Sequence, residues 1–298
     1  MDLLRFTLLV LALMWLGWFL MGGPESGRVR NAFLKPPAPL NTGETYGPGI
    51  SIGGVQGETK EPAEVPGTEP KSLFVDAVSI YVGNARAGNP QEEYIEIAAS
   101  GSNTQPVNIT GWKLKSATSE NEAVIGTGVY LPFGETVNKE DKIFLNPGDR
   151  AIIATGESPR GISFRTNTCT GYFEQFQDFY PTLPKECPYQ SDEVRARAET
   201  KTLGDACLDY LDTLPRCEAH VKAAPIGVSS ACNDYINERI HYRGCLEVHK
   251  NDTSFYKKEW RIFLGKKEEL WKERRETIKL LDTEGRIVTS VSYYNSQS

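Results

Sequence analysis

Apolar residues alternate with other residues in several short runs of this 298-residue chain. Val78, Ile80 and Val82 follow this pattern, and so do Ile95 and Ile97. Alternation places the apolar side chains on one face of a β-strand, so each run predicts a half-buried strand. Several short strands at such spacing predict an antiparallel β-sandwich.

A further run changes its alternation at Gly111. Val107 and Ile109 are apolar at odd positions before this glycine, whereas Trp112 and Leu114 are apolar at even positions after it. One extra residue in a strand, a β-bulge, would return all four side chains to the same face, and glycine is common at bulges. We therefore predict a β-bulge at Gly111.

The C-terminal part of the chain predicts a β-hairpin. Ile278 and Leu280 lead into a four-residue connection, 282–285, which ends in glycine, and residues 287–293 lead out of it. A connection of this kind suits a type I turn followed by a left-handed residue. The residues predicted to form the core of the sandwich are Ile95, Ile97, Trp112, Leu280 and Val291.

A helical insertion is predicted within the β pattern, at about residues 161–255. The segment 205–214 has the apolar periodicity of a helix and is followed by Pro215, which cannot continue one. Ser229 and Ser230 are suited to cap a second helix. The expected arrangement of these two helices is a hairpin.

All six cysteines lie within this insertion. An even, clustered set indicates disulfides and an oxidising compartment. Four of the cysteines are nested almost symmetrically, as facing positions of a helical hairpin would be. The expected disulfides are Cys169–Cys187, Cys207–Cys245 and Cys217–Cys232, the first of them by elimination. The alternative is sequential pairing, Cys207–Cys217 with Cys232–Cys245.

Residues 1–21 are predicted to be a membrane anchor. The run from Leu3 to Met21 contains Arg5 as its only charge. At 1.5 Å per residue it would span about 28 Å, close to the roughly 30 Å of a bilayer core. A cleaved signal peptide, with secretion of the protein, is the alternative, although no small-residue cleavage site precedes Pro24. In both cases the C-terminal domain is extracytoplasmic.

Residues 22–72 are rich in proline, glycine and polar residues, a composition that cannot bury enough apolar surface to fold. We expect a linker here, followed by one domain at 73–295. The net charge of −6 argues against a nucleic-acid partner. The locally basic stretch 257–279 also contains several glutamates, which predicts a solvated face of mixed charge.

Four segments follow one another in an order that is familiar from a known family. They are residues 93–97 (EYIEI), 107–114 (VNITGWKL), 145–154 (LNPGDRAIIA) and 276–293 (ETIKLLDTEGRIVTSVSY). Together they resemble a lamin-tail domain of the bacterial type, which implies an Ig-like antiparallel β-sandwich. The cysteine-containing insertion is a departure from the family, and so is Thr289, which replaces an aspartate of the closing motif.

The sequence offers few groups suited to catalysis. His241 and His249 lie near Cys245, so a cysteine nucleophile or a zinc site built by the insertion is the alternative to a purely structural role. No C-x-x-C, H-E-x-x-H, G-x-S-x-G or P-loop motif occurs. We expect no enzymatic activity, no cofactor and no metal ion.

An aromatic run is the best candidate for a recognition surface. Tyr172, Phe173, Phe176, Phe179 and Tyr180 all fall within nine residues. Exposed aromatic rings beside polar groups anchor protein or carbohydrate partners. The alternative is that these rings pack between the sandwich and the insertion, since so dense a run must be partly buried.

These patterns predict a membrane-tethered, extracytoplasmic binding or scaffolding protein without catalytic activity. Its expected partner is a protein or carbohydrate of the cell envelope. The alternative is an accessory protein, a hydrolase or a metal-binding protein whose site is formed by the cysteine-containing insertion.

Overall fold

The computed structural model of the protein describes Trp15 and residues 70–135, 137–196, 203–220 and 225–294. The predicted anchor, apart from Trp15, and nearly all of the predicted linker lie outside these residues. Within the described ranges, no helix is long and apolar enough to cross a membrane.

The described residues form thirteen strands and five helical segments. The strands are β1 (Val78–Tyr81), β2 (Tyr94–Ala99), β3 (Val107–Asn108), β4 (Lys113–Ser116), β5 (Glu122–Val124), β6 (Gly128–Val129), β7 (Glu140–Asp141), β8 (Phe144–Leu145), β9 (Arg150–Ala154), β10 (Phe164–Asn167), β11 (Tyr256–Phe263), β12 (Arg275–Leu281) and β13 (Ile287–Tyr294). The helical segments are a 3-10 helix (Thr170–Gln175), α1 (Gln190–Ala196), α2 (Asp205–Asp212), α3 (Ser230–Arg239) and α4 (Tyr242–His249).

The largest sheet has seven strands in the order β1-β2-β9-β11-β10-β6-β7. Two of its pairs, β9 with β11 and β6 with β10, are parallel, so the prediction of a wholly antiparallel fold is wrong for this sheet. The reason is the long connection from β10 to β11, which lets β11 enter between β9 and β10. Residues 151–154 of β9 are buried without alternation, as is usual for a strand covered on both faces.

The other sheets are antiparallel, with a four-stranded sheet in the order β13-β12-β4-β5 and a two-stranded sheet of β3 and β8. The predicted C-terminal hairpin is confirmed as β12 and β13. Its turn ends at Gly285, which has a φ of 78° and donates its N–H to the carbonyl of Asp282 at 3.0 Å. The protein is therefore mainly β, as predicted.

One apolar core joins the seven-stranded and four-stranded sheets. Ile95, Ile97, Trp112 and Leu280 are buried in it as predicted, while Val291 is half-buried at its border. Burial of large side chains contributes about 1.5–3 kcal/mol each. The alternating runs of the sequence thus locate most of the core.

The chain changes direction at Gly111 instead of forming a bulge within one strand. Residues 107–108 belong to the two-stranded sheet, whereas the strand after Gly111 belongs to the four-stranded sheet. Gly111 has a φ of 85°, and its N–H donates to the carbonyl of Ile125 at 2.8 Å. The apolar side chains on both sides of Gly111 nevertheless reach the core, because Ile109 and Trp112 are both buried.

Two acidic residues, one near each end of the described domain, have clear structural roles. The carboxylate of Glu93 accepts hydrogen bonds from the backbone N–H groups of Leu270 (2.9 Å) and Trp271 (3.1 Å), and its burial raises its pKa. Asp282 accepts from the backbone N–H of Arg286 at 2.9 Å, inside the hairpin turn. Both acids hold turns against the edges of the core.

The helical insertion is confirmed, with two differences from its predicted form. Its first strand, β10, belongs to the seven-stranded sheet, so the helical part begins after Asn167. The predicted helices are α2 and α3, and Ser229 caps α3 by accepting from the N–H of Cys232 at 3.2 Å. The sequence also contains α1 and α4, which its apolar pattern did not predict.

All six cysteines form disulfides, but each predicted pair is wrong, and so is the sequential alternative. The observed pairs are Cys169–Cys245, Cys187–Cys217 and Cys207–Cys232, with Cα–Cα distances of 5.9, 5.3 and 5.8 Å. The prediction placed Cys217 and Cys232 at facing positions where the two helices of the hairpin connect. Cys217 instead follows α2 in irregular backbone with a φ of 59°, where it reaches the segment before α1.

Candidate functional site

The seven-stranded sheet has one face in the core and one face that points away from it. Side chains alternate along a strand, so Trp260 and Ile262 of β11 enter the core while Glu259, Arg261 and Phe263 point outward. The outward face is not a solvated surface over β11, because Glu259 and Arg261 are both buried. The insertion covers it there.

Residues 179–184 of the insertion, named the strap here, cross the outward face above β11. Arg261 anchors the strap by donating from Nη2 to the carbonyl of Thr182 at 3.1 Å and from Nη1 to the carbonyl of Pro181. Phe179, at the start of the strap, is buried. One side chain of the sheet thus fixes the path of the covering segment.

A buried ionic network lies beneath the strap. Glu259 accepts a hydrogen bond from Arg261 Nε on one carboxylate oxygen (2.7 Å) and from Arg150 Nε on the other (2.9 Å). A buried carboxylate is tolerated when it is paired and hydrogen-bonded in this way. The prediction of a solvated face over 257–279 is therefore wrong for Glu259 and Arg261, which face the strap.

A concave site of about 210 Å³, named the tyrosine notch here, lies at the start of the strap. Phe179 and Tyr180 form part of its wall, and Tyr180 is 43% exposed. The polar side chains that line the notch are Asn89, Gln91, Glu92, Glu157 and Asp178. In the described part of the chain no lysine or arginine lines the notch, so its polar groups are amides and carboxylates.

The ring of Tyr180 is held in place from two directions. It meets the ring of Tyr94 edge-on at a centroid distance of 5.8 Å. Its hydroxyl accepts a hydrogen bond from Asn84 Nδ2 at 3.3 Å. Burial, with a smaller contribution from Glu96, raises the pKa of Tyr94, so this phenol stays neutral at ordinary pH. The notch therefore presents a positioned aromatic ring to solvent.

A second concave site of about 250 Å³, named the polar cleft here, lies at the end of the strap. Pro184 at the end of the strap forms one wall. The polar side chains that line it are Arg150, Thr166, Asn167, Thr170, Glu186, Lys257, Lys258 and Glu259. The two ends of the strap thus border a site without basic residues and a site rich in them.

The five aromatic residues predicted as a recognition surface differ in how far they are buried. Tyr172, Phe173 and Phe179 are buried, with Phe173 packed edge-on against Phe164 at 5.6 Å. Phe176 is 69% exposed and Tyr180 lines the notch. The five rings do not form one exposed surface, because Phe173 and Phe179 pack on Phe164 of the sheet and Tyr172 packs among the cysteines of the insertion. This matches the packing alternative for those three.

The cysteine and histidine residues considered for catalysis are placed elsewhere. A disulfide-bonded sulfur is neither a thiolate nucleophile nor a zinc ligand, and all six cysteines are in disulfides. His241 caps α4 by accepting from the N–H of Gly244 at 3.2 Å. His249 is hydrogen-bonded to Glu193 and, at 2.7 Å, to Asp252. Within the described ranges, no three His, Cys, Asp or Glu residues are grouped to hold a metal ion.

Sequence reasoning missed the groups that organise both sites. Arg261 and Glu259 occupy alternate positions of a strand whose other positions are Trp260 and Ile262. The alternation is visible in the sequence, but the charges at 257–279 predict a solvated surface there. The available signal was the strand's position directly after a long insertion, since an insertion must pack on some face of the domain.

The fold and the two sites define a mainly β domain whose disulfide-bonded insertion shapes its surface. No family model, curated protein or solved structure matches this chain.

Proposed function

We propose that this protein is a non-catalytic, extracytoplasmic binding protein that holds a neutral carbohydrate in the tyrosine notch. The observation that carries the proposal is the exposed, positioned ring of Tyr180 beside the side chains of Asn89, Gln91 and Asp178. A protein partner at the same exposed ring is the alternative occupant.

The chemistry of the notch suits a sugar. The apolar C–H face of a pyranose packs on an aromatic ring, while its hydroxyl groups donate to carboxylates and accept from amide N–H groups. Asp178 and Glu157 supply acceptors, and Asn89 and Gln91 supply donors as well as acceptors. A volume of about 210 Å³ is below the roughly 300–1,000 Å³ of sites for drug-sized ligands, so one sugar unit of a longer chain fits best.

The place of action follows from the disulfides. Three disulfides persist in an oxidising compartment, which supports an extracytoplasmic domain. We propose that residues 3–21 tether it to a membrane and that residues 22–72 form the linker. The expected partner is then a glycan of the cell envelope.

The family-like segments support a lamin-tail-like, Ig-like sandwich as part of the same proposal. Residues 93–97, 107–114, 145–154 and 276–293 all contribute strands to the sheets around one core. Packing of two β-sheets over a shared core is the architecture of a sandwich. The parallel pairs of the seven-stranded sheet are the departure from the antiparallel pattern.

The test compares two exposed aromatic residues of the same run. Tyr180→Ala removes the notch ring, whereas Phe176→Ala removes an exposed ring outside the residues that line the notch. Each variant is titrated with soluble neutral oligosaccharides of glucose, galactose, mannose and N-acetylglucosamine. We expect saturable binding of at least one of them, reduced about tenfold or more by Tyr180→Ala and unchanged by Phe176→Ala.

A second variant guards against an effect on folding. Asp178→Asn keeps the size of an exposed side chain but removes its charge and one of its two acceptor oxygens. It should therefore weaken sugar binding while leaving the midpoint of unfolding unchanged. Binding that is indifferent to both Tyr180→Ala and Asp178→Asn, or capture of an envelope protein through Tyr180 with no oligosaccharide bound, overturns the carbohydrate proposal.

A further inference from the structure

The polar cleft has a buried polar floor. Thr166, Asn167 and Thr170 line it, and all three residues are almost completely buried. The hydroxyl of Thr166 donates to the carbonyl of Glu259 at 2.9 Å, and that of Thr170 donates to the carbonyl of Asn167 at 2.8 Å. Each hydroxyl oxygen still has a lone pair that is able to accept from a ligand.

The charged side chains of the cleft are not balanced. Its two acids are each bound to a base, Glu186 to Lys257 Nζ at 3.1 Å and Glu259 to Arg150 Nε at 2.9 Å. Lys258 is exposed and, within the described residues, forms no ion pair. The cleft therefore has a surplus of positive charge on a chain whose net charge is −6.

Arg150 has binding capacity beyond its buried partner. Its side chain is half exposed, and its Nε and Nη2 atoms bind Glu259, which leaves the N–H groups of Nη1 available in the cleft. A guanidinium is suited to recognise carboxylate and phosphate groups through paired N–H donors. Lys258 adds a flexible cation at the same cleft, as a point charge.

We propose that the polar cleft binds a small hydroxylated ligand that carries one oxyanion group, carboxylate or phosphate. The oxyanion is held by Arg150 and Lys258, and hydroxyl groups of the ligand meet the floor at Thr166 and Thr170. The acidic surface of the whole chain disfavours a long polyanion, because repulsion would grow with its length. A volume of about 250 Å³ fits a ligand of the size of one sugar acid or sugar phosphate.

This proposal is independent of the one for the tyrosine notch. The two sites lie at opposite ends of the strap and share no lining residue. A variant at Lys258 and a variant at Tyr180 therefore report on different sites, and the failure of either proposal leaves the other in place.

The folded protein is titrated with three probes, and the binding of each probe is measured by calorimetry. The probes are inorganic phosphate, galacturonate and, as a neutral control, glucose. Lys258→Gln removes the unpaired cation, and the matched control Lys142→Gln removes another exposed lysine outside the cleft. We expect saturable binding of phosphate or galacturonate, weakened about tenfold by Lys258→Gln, reduced by added salt and unchanged by Lys142→Gln.

The two oxyanion probes distinguish the chemistry of the group. Binding of galacturonate without phosphate identifies a sugar carboxylate, and binding of phosphate without galacturonate identifies a phosphate group. The proposal is overturned if neither oxyanion binds at millimolar concentration, if glucose binds equally well, or if Lys258→Gln binds like the unaltered protein.

Discussion

Arg261 Nη2 donates a hydrogen bond to the carbonyl oxygen of Thr182 at 3.1 Å, although the two residues lie far apart in sequence. The bond joins the central strand β11 to the strap of the insertion. Because residues of the strap line both the tyrosine notch and the polar cleft, this contact holds a segment that the two sites share. The same guanidinium donates from Nε to the carboxylate of Glu259 at 2.7 Å, which orients it beneath the strap.

Replacing Arg261 with methionine should loosen the strap. The change keeps an unbranched side chain but removes the donors to Pro181 and Thr182. Disruption of a buried charged network typically costs about 3–5 kcal/mol. We expect a loss of that size in urea unfolding and faster proteolysis near residues 179–184. Arg243→Met, at an exposed arginine of α4, should change neither; equal behaviour of the two variants would show that Arg261 does not anchor the strap.

The fold could be predicted where a local pattern decides it. Ile95, Ile97 and Trp112 alternate with polar residues and lie in the core, and the turn at Gly285 follows its sequence signal. The parallel pairing of β9 with β11 could not be predicted in the same way. It depends on where the chain re-enters the sheet after a long insertion. The spacing of apolar residues along a strand does not indicate that position.

The disulfide pairing and the two sites could not be predicted from the sequence, for a related reason. The symmetric spacing of Cys207, Cys217, Cys232 and Cys245 indicates facing positions only if the intervening chain is one helical hairpin. The chain instead forms α2, α3 and α4 over this stretch, with Cys245 on α4, and Cys217 pairs with Cys187 outside it. The aromatic run predicts Tyr180 as a candidate, and Asp178 lies beside it in sequence. The other polar groups of the notch belong to residues 89–92 and to Glu157, which only the tertiary fold brings near.

Trp112→Ala should destabilise the whole domain. Trp112 is 2% exposed and packs in the apolar core, with the ring of Phe74 at 5.3 Å. Truncation of a buried tryptophan costs about 3–5 kcal/mol through lost burial and the cavity that remains. Chemical unfolding measures the loss. Val124→Ala, at an exposed position of the adjacent strand β5, should cost less than about 1 kcal/mol. A similar small cost for Trp112→Ala would contradict its place in the core.

Peptide mapping without reduction should recover three linked pairs, Cys169 with Cys245, Cys187 with Cys217 and Cys207 with Cys232. Removing the disulfides one at a time should also lower the free energy of unfolding to different extents. In the chain-entropy treatment, the loop of 76 residues closed by Cys169–Cys245 accounts for about 4.5 kcal/mol and the loop of 25 closed by Cys207–Cys232 for about 3.5 kcal/mol. A peptide linking Cys207 to Cys245 or to Cys217 would refute the observed pairing.

The proposed membrane topology makes a prediction for intact cells. If residues 3–21 anchor the chain and the disulfide-bonded domain is outside, added protease should degrade the domain without lysis. A cytoplasmic marker protein should survive the same treatment, which shows that the cells remained sealed. Release of the domain into the medium would indicate a cleaved signal, and full protection from protease would contradict an extracytoplasmic location.

Stability should fall as the pH rises past the titration of His249. The hydrogen bond to Glu193 raises the pKa of His249 above its ordinary value of 6.5, burial opposes this, and Asp252 adds to the rise. Glu193 on α1, which also lies near Tyr172, and Asp252 after α4 are the charged groups that face it. A raised pKa in the folded state means that folding favours the imidazolium. Its contribution is complete below pH 6.5 and is lost as the pH rises through the folded-state value.

The measurement is the free energy of unfolding of the unaltered protein and of His249→Gln, from below pH 6.5 to above the raised pKa of His249. The difference between the two should be largest below pH 6.5 and should shrink above the raised pKa, because only the unaltered protein loses a proton at this site. Glu193→Gln removes the main cause of the raised pKa and should move the decline to lower pH. If the two stability curves run parallel through this range, His249 does not link α1 to α4 as a charged group, and the contact holds the helices by hydrogen bonding alone.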